Sequence, residues 1–151
     1  PTAEELADIT KMAAQVVERF GITPKVAIAS HSNFGSRESK FSTKMQKTYE
    51  ILKETAPDLQ VEGEMQPDLA IWDRYRKAYF PDTELEGMAN LFIFANIDTA
   101  NVSYNFVRAI TDSVVVGPIV MGIAKPAHIV TNVATARRIV NVTAICATDE
   151  I

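Results

Sequence analysis

The 151-residue sequence holds one cysteine, two histidines and one tryptophan, and each scarcity removes an explanation. A lone Cys146 cannot close an internal disulfide and suits a reducing compartment, so a cytoplasmic setting is expected. No stretch approaches the ~18 apolar residues of a membrane helix, since Val114 to Ile123 is short and interrupted by Gly117-Pro118. Nothing at the start resembles a signal peptide. Positive charge is in short supply, with 15 Lys and Arg against 19 Asp and Glu, a net charge of −4. Nucleic acid and an anionic membrane surface would repel such a chain, so neither is an expected partner. Neither the Rossmann glycine pattern nor a P-loop occurs, which excludes nucleotide binding by those routes. There is no internal repeat, low-complexity segment or Gly/Ser linker, and no initiator methionine. A chain beginning at Pro1 reads as a piece of something longer.

What is present is ordinary in amount and ordered in rhythm. With 47% hydrophobic and 23% charged residues, the chain is long enough for a domain burying about two thirds of its unfolded surface. Thr2-Ala3-Glu4-Glu5 is a capping box, and Leu6, Ile9, Ala13, Val16, Val17 and Phe20 follow at helical spacing before Gly21. Lys25 to Ser30 reads as a buried strand, followed by a helix carrying Phe41, Met45, Tyr49 and Leu52. Leu59 to Met65 reads as a strand ending in a carboxylate-rich loop. Pro67 to Tyr79 reads as one helix with Leu69, Trp72, Tyr75 and Tyr79 towards one side. Asn90 to Asn96 reads as a strand covered on both faces, and Ala100 to Ile110 as a helix. Val114 to Ile123 and Ala127 to Val130 are the last strand candidates. A final helix over about Thr135 to Thr148 is apolar nearly all round and so expected to meet several neighbours, a partner chain among them. This alternation predicts one compact α/β unit, a mostly parallel sheet with helices on both faces.

Four groups could carry chemistry. Ser30-His31-Ser32-Asn33-Phe34-Gly35-Ser36 lies between a strand and a helix, where open sheets bind ligands and backbone amides hold phosphates. A catalytic triad is not expected from adjacent serines and a histidine, because neighbours along a strand point to opposite sides. Glu62, Glu64 and Asp68 read as solvated carboxylates, and His31 and His128 are too distant in sequence to complete a metal motif with them. Arg74, Arg76 and Lys77 read as a solvated helix face, and Cys146 as a core residue. The segment Lys125 to Asn141, "KPAHIVTNVATARRIVN", is different. Arg137 and Arg138 fall at a helix start, where a cation costs ~0.3–1 kcal/mol unless an anion or a carboxylate compensates. A bound anion and pairing with acidic side chains both answer that cost.

Several stretches, taken in order, resemble the carboxyl-terminal half of phosphate acetyltransferases: "PKVAIASHSNFGS", "APDLQVEGEMQPDLAI", "GMANLFIFANIDTANVSYNFVRAI", "VVVGPIVMGIAKPAHIV" and "IVNVTAI". That resemblance implies a two-domain α/β fold similar to isocitrate and isopropylmalate dehydrogenases, with the site in the cleft between domains. It makes this chain the second domain (about 1–130) plus a last helical segment (about 131–151). In the family a Ser-Arg pair and a later acid serve acetyl transfer between coenzyme A and phosphate, and the aligned positions here are Thr131, Asn132 and Arg138. Asn132 brings no cation and Arg138 cannot act as a base at neutral pH, so transfer is not expected.

The Thr-x-x-Ala-Thr-x-Arg-Arg-Ile-Val-Asn pattern is similar instead to the phosphotransacetylase-like domain of bacterial malic enzymes. That likeness implies a regulatory module holding acetyl-CoA, attached to a catalytic domain that uses NADP (or NAD) with Mg or Mn, and forming homo-oligomers through its last helices. Thr131, Asn132, Lys125 and Arg138 are then the expected ligand residues, with Ser32 and Asn33 beside them. An active acyltransferase and a purely structural dimerising piece are the other two readings.

Overall fold

The computed structural model describes residues 1–111 and 113–148. In chain order its elements are α1 (Ala3–Arg19), β1 (Lys25–Ala29), α2 (Lys40–Thr55), β2 (Gln60–Met65), α3 (Pro67–Ile71), α4 (Asp73–Tyr79), β3 (Leu91–Ile93), α5 (Ile97–Ile110) and α6 (Ala136–Thr148). The chain falls into two compact units, Pro1–Ser103 and the residues from Tyr104 onward.

In the first unit the three strands form a wholly parallel sheet in the order β2-β1-β3. Val26, Ile28, Val61 and Ile93 face one core, which α1 and α2 cover with Leu6, Ala7, Met45 and Leu52. Ala27 faces a second core made with Met65, Leu69, Ala70, Leu85 and Ala89. Helices and loops thus cover both faces, as the apolar runs imply.

The Thr2–Glu5 capping box forms as expected, each partner satisfying the other's free donor. The buried stripe of α1 is made of Ala3, Leu6, Ala7, Thr10 and Ala14, while Phe20 stays exposed. Small residues let α2 approach, and the buried hydroxyls of Thr10 and Thr48 donate to carbonyls one helical turn back, Leu6 O at 2.7 Å and Lys44 O at 2.9 Å.

β2 departs from simple alternation. Ile28 pairs with Gly63 but Ala29 pairs with Met65, so Glu64 is an extra residue and the register slips there. Four residues apart, Val61 and Met65 would share a face in a regular strand. The slip puts Met65 in the second core and Val61 in the first. Gly63 has φ 146°, and a Cβ on it would lie 2.7 Å from the Ile28 carbonyl oxygen, so this crossing requires glycine.

Three sequence expectations are corrected in this unit. The helix over Pro67 to Tyr79 breaks at Trp72 into α3 and α4, and Trp72, Tyr75 and Tyr79 face solvent. Arg76, expected on a solvated face, is completely buried. It donates to the carbonyls of Leu69, Ala70, Leu85 and Gly87, to Asp73 Oδ1 and to Thr83 Oγ1. A guanidinium with its donors used this way is affordable inside a core, and it ties residues 69–87 into one body. Glu62 and Glu64, expected in water, are also buried. Glu62 Oε2 accepts from Thr83 Oγ1 and from the amides of Glu84 and Leu85, while Glu64 Oε1 accepts from the Gly35 amide at 3.1 Å. Asp68 alone of the three stays exposed.

In the second unit, neither Val114 to Ile123 nor Ala127 to Val130 forms a strand. Pro118 and Pro126 have no amide to give a ladder, and Gly117 and Gly122 take positive φ of 130° and 75°. The final helix begins at Ala136, with the Thr135 hydroxyl accepting from the Arg138 amide at 3.3 Å. Only Val142 of α6 is buried, and Cys146 is half-buried. Residues 149–151, placed by the sequence reading in this segment, lie outside the described residues.

Candidate functional site

β1 lies between β2 and β3, so the chain leaves it towards one side through α2 and returns on the other at β3. Connections that diverge in this way leave a crevice beyond the carboxyl ends of the two strands. A cavity of about 300 Å³ occupies that crevice. Ala29, Ser30 and His31 enter from the end of β1, and Phe94, Ala95 and Asn96 from the end of β3. Phe41 of α2, Pro67 of α3 and Thr99 and Ser103 of α5 complete the wall. Sequence reasoning singled out the loop after β1 but missed the β3 contribution, because only strand order makes the two loops neighbours.

The cavity has an apolar floor and a polar, cationic edge. The ammonium groups of Lys40 and Lys44 lie 4.9 and 5.9 Å from the centre of the Phe41 ring. Lys44 Nζ also donates to the Ala95 carbonyl at 2.6 Å and the Pro1 carbonyl at 2.9 Å, which fixes its charge beside the cavity. Asn96 caps α5, its Oδ1 accepting from the Thr99 amide at 2.9 Å. Such a surface can receive a molecule with an apolar body and a negative group. The His31 ring makes no hydrogen bond among the described residues, so no serine-histidine pair forms.

Ser32 and Asn33 serve their own loop. The Ser32 hydroxyl accepts from the Arg37 amide at 3.0 Å, and Asn33 Oδ1 accepts from the Gln66 amide at 2.7 Å. Phe34 and Gly35 follow in the left-handed region, with φ of 48° and 82°. Glu64, at 1% exposure, steadies this turn through the Gly35 amide, and the Phe34 amide donates to the Glu64 carbonyl at 2.7 Å. Glu64 Oε2 is buried without a partner among the described residues.

The remaining expected ligand residues belong to the second unit. Lys125, Thr131 and Asn132 are exposed, and the Thr131 carbonyl accepts from the Ala134 amide at 3.0 Å in the turn before α6. Arg138 is half-buried, and its Nε and Nη2 both donate to the Gly117 carbonyl. Among the described residues neither Arg137 nor Arg138 forms an ion pair. Among the described residues a carbonyl, not a carboxylate, therefore meets the Arg138 cation. Among the described residues no three His, Cys, Asp or Glu side chains gather as a metal site, and no helix is long and apolar enough to cross a membrane.

The family described as Phosphate acetyl/butaryl transferase matches residues 1–147. The chain is 48% identical over 146 residues to an NADP-dependent malic enzyme of Escherichia coli K12, covering 96% of this chain and 19% of that protein. Against an NAD-dependent malic enzyme of Rhizobium meliloti the identity is 49% over 145 residues, again 96% of this chain and 19% of that one. Against a phosphate acetyltransferase of Clostridium acetobutylicum it is 35% over 146 residues, covering 96% of this chain and 44% of that enzyme. The chain thus spans about a fifth of the malic enzymes it matches. Among solved structures, the EutD phosphotransacetylase from Staphylococcus aureus superposes with a TM-score of 0.93 at 27% identity, over 100% of this chain and 47% of that one.

Proposed function

This chain belongs to the phosphate acetyl/butaryl transferase family, and from that premise we propose that it is the carboxyl-terminal regulatory module of a malic enzyme, holding acetyl-CoA without transferring its acetyl group. The parent reaction is the oxidative decarboxylation of malate to pyruvate with NADP or NAD. Its nicotinamide and divalent metal are held outside residues 1–151. One observation carries the reading: identity is 48–49% to malic enzymes but 35% to a phosphate acetyltransferase, over nearly the same residues. The residues agree in chemistry. Arg138 stands where the resemblance places an acid, and a guanidinium bound to a carbonyl can attract phosphate but cannot take up a proton.

Acetyl-CoA then shifts an equilibrium felt by the catalytic part, and that part's ligands must shift acetyl-CoA affinity by the same factor. The module also joins copies of the parent through α6, whose Ile139 and Val140 are 46% and 65% exposed. Calorimetry and malate-oxidation assays on the full-length protein test both roles. Acetyl-CoA is expected to bind and to change malate affinity roughly 5- to 150-fold. Arg138→Glu is expected to weaken acetyl-CoA binding. Absence of any acetyl-CoA binding sinks the regulatory reading. Acetyl phosphate formation that disappears in Thr131→Ala instead supports an active phosphate acyltransferase, the reading its more distant relatives favour. Val140→Asp, on the exposed side of α6, tests association; Val142 is buried and would report folding instead.

A further inference from the structure

A second cavity, of about 350 Å³, shares no lining residue with the crevice between β1 and β3. Its walls are aromatic: Phe34 and Phe80 lie 4.5 Å apart between ring centres, and Tyr79 stands at the edge. Two carboxylates also line it, Glu62 and Asp82. Glu62 is only 6% exposed, yet all three of its donors approach Oε2. Oε1 has no hydrogen-bond partner among the described residues and is not among the atoms sealed from solvent, so the cavity is where it opens. The nearest buried cation, Arg76, reaches Glu62 only through the Thr83 hydroxyl. Asp82 forms no ion pair or hydrogen bond among the described residues.

We propose that this cavity binds an organic cation of the alkylguanidinium or alkylammonium class, its head on Glu62 Oε1 and its face against Phe80 and Tyr79. Oε1 is open to solvent but met by no protein donor among the described residues, and a cation would neutralise it together with the unpaired Asp82, which a neutral or anionic guest would not do. Aromatic faces attract cations, and a planar guanidinium can stack on a ring while donating to a carboxylate. The cation is either a free small molecule or the side chain of an arginine or lysine elsewhere in the assembly. This site stands whether or not acetyl-CoA binds.

The test is hydrogen-exchange mass spectrometry of the full-length protein with methylguanidinium, and with methylurea as its uncharged counterpart. Slowing of exchange by about threefold or more, confined to peptides covering residues 79–87 and seen with methylguanidinium only, supports a free ligand. Exchange that is slower than in Asp82→Asn before any addition supports a side chain of the assembly in the same place, because the Glu84 and Leu85 amides are already bonded within the fold in both proteins. Glu62→Gln keeps an acceptor for the three donors and is expected to abolish the methylguanidinium response. Should that variant fail to fold, Asp82→Asn and Tyr79→Leu, which touch none of those hydrogen bonds, are expected to weaken it. Equal protection by methylurea overturns the proposal. So does a 79–87 segment that exchanges alike in the parent and Asp82→Asn proteins and stays unchanged up to ~50 mM methylguanidinium.

Discussion

The two units treat the same apolar content differently. Up to Ser103 the large aliphatic side chains find each other, and Val26, Ile28, Met45, Leu52 and Met65 have no exposed surface at all. From Tyr104 onward only Gly117 and Val142 are buried among the described residues, while Phe106, Ile110, Ile129, Val133 and Val140 are each at least 65% exposed. The first unit carries its own hydrophobic driving force. The second exposes more apolar surface than a stable free-standing piece of that size would be expected to show. Apolar content alone therefore says little about stability; what counts is whether parallel strands bring the side chains into one layer.

The comparison can be broken by substitution, and the largest effect is expected at Arg76. Arg76→Ala takes the guanidinium donor from the Leu69, Leu85 and Gly87 carbonyls and from Asp73 Oδ1 inside the first unit, and should cost about 3–5 kcal/mol in urea unfolding. Leu52→Ala, a cavity in the core under α2, should cost about 2–4 kcal/mol by the same measurement. Gly63→Ala forces a methyl against the Ile28 backbone and should lose at least ~2 kcal/mol. Phe106→Ser, on the exposed surface of α5, should change stability by less than ~0.5 kcal/mol. A loss as large as that of Leu52→Ala would erase the contrast between the two units.

The smallest effect is a pH dependence within the first unit. Burial pushes the Tyr49 hydroxyl above its ordinary pKa of 10.0, and the Glu84 carboxylate on Lys53 raises that lysine above 10.5. Both groups hold their protons more tightly folded than unfolded. Their contribution is complete below pH ~10 and is lost as pH rises through the raised values. Unfolding midpoints should therefore fall as pH rises above about 10, less steeply in Tyr49→Phe, the tyrosine part alone being removed.

Much of the architecture could be read before any coordinates. The capping box, α1, β1, α2, β2 and the parallel alternation follow from spacing, because 3.6- and 2-residue periods are local properties. Three features were illegible for one reason each. Arg76 sits on a helix pattern whose aromatic residues should have faced inward, and only its carbonyl partners at Leu85 and Gly87 explain the reversal. Glu62 and Glu64 resemble solvated acids until Thr83, Leu85 and Gly35 supply donors from distant parts of the chain. Val114 to Ile123 has strand-like composition, but a strand needs a neighbour with matching donors, and Pro118 with the positive φ of Gly117 and Gly122 interrupts the offer. Of the expected site, Ser32 and Asn33 are engaged in shaping the loop after β1. Phe94, Ala95 and Thr99 went unnoticed, since nothing in their own stretch marks them as cavity wall.

By itself, the order of residues determined the fold class, the capped start of α1 and the family, all of which depend on side-chain identity and short-range spacing. Tertiary structure decided which carboxylates are dry, which arginine is a core residue and which loops meet in a cavity. Those outcomes depend on partners tens of residues away, and a charge is stable inside a protein only where such partners arrive.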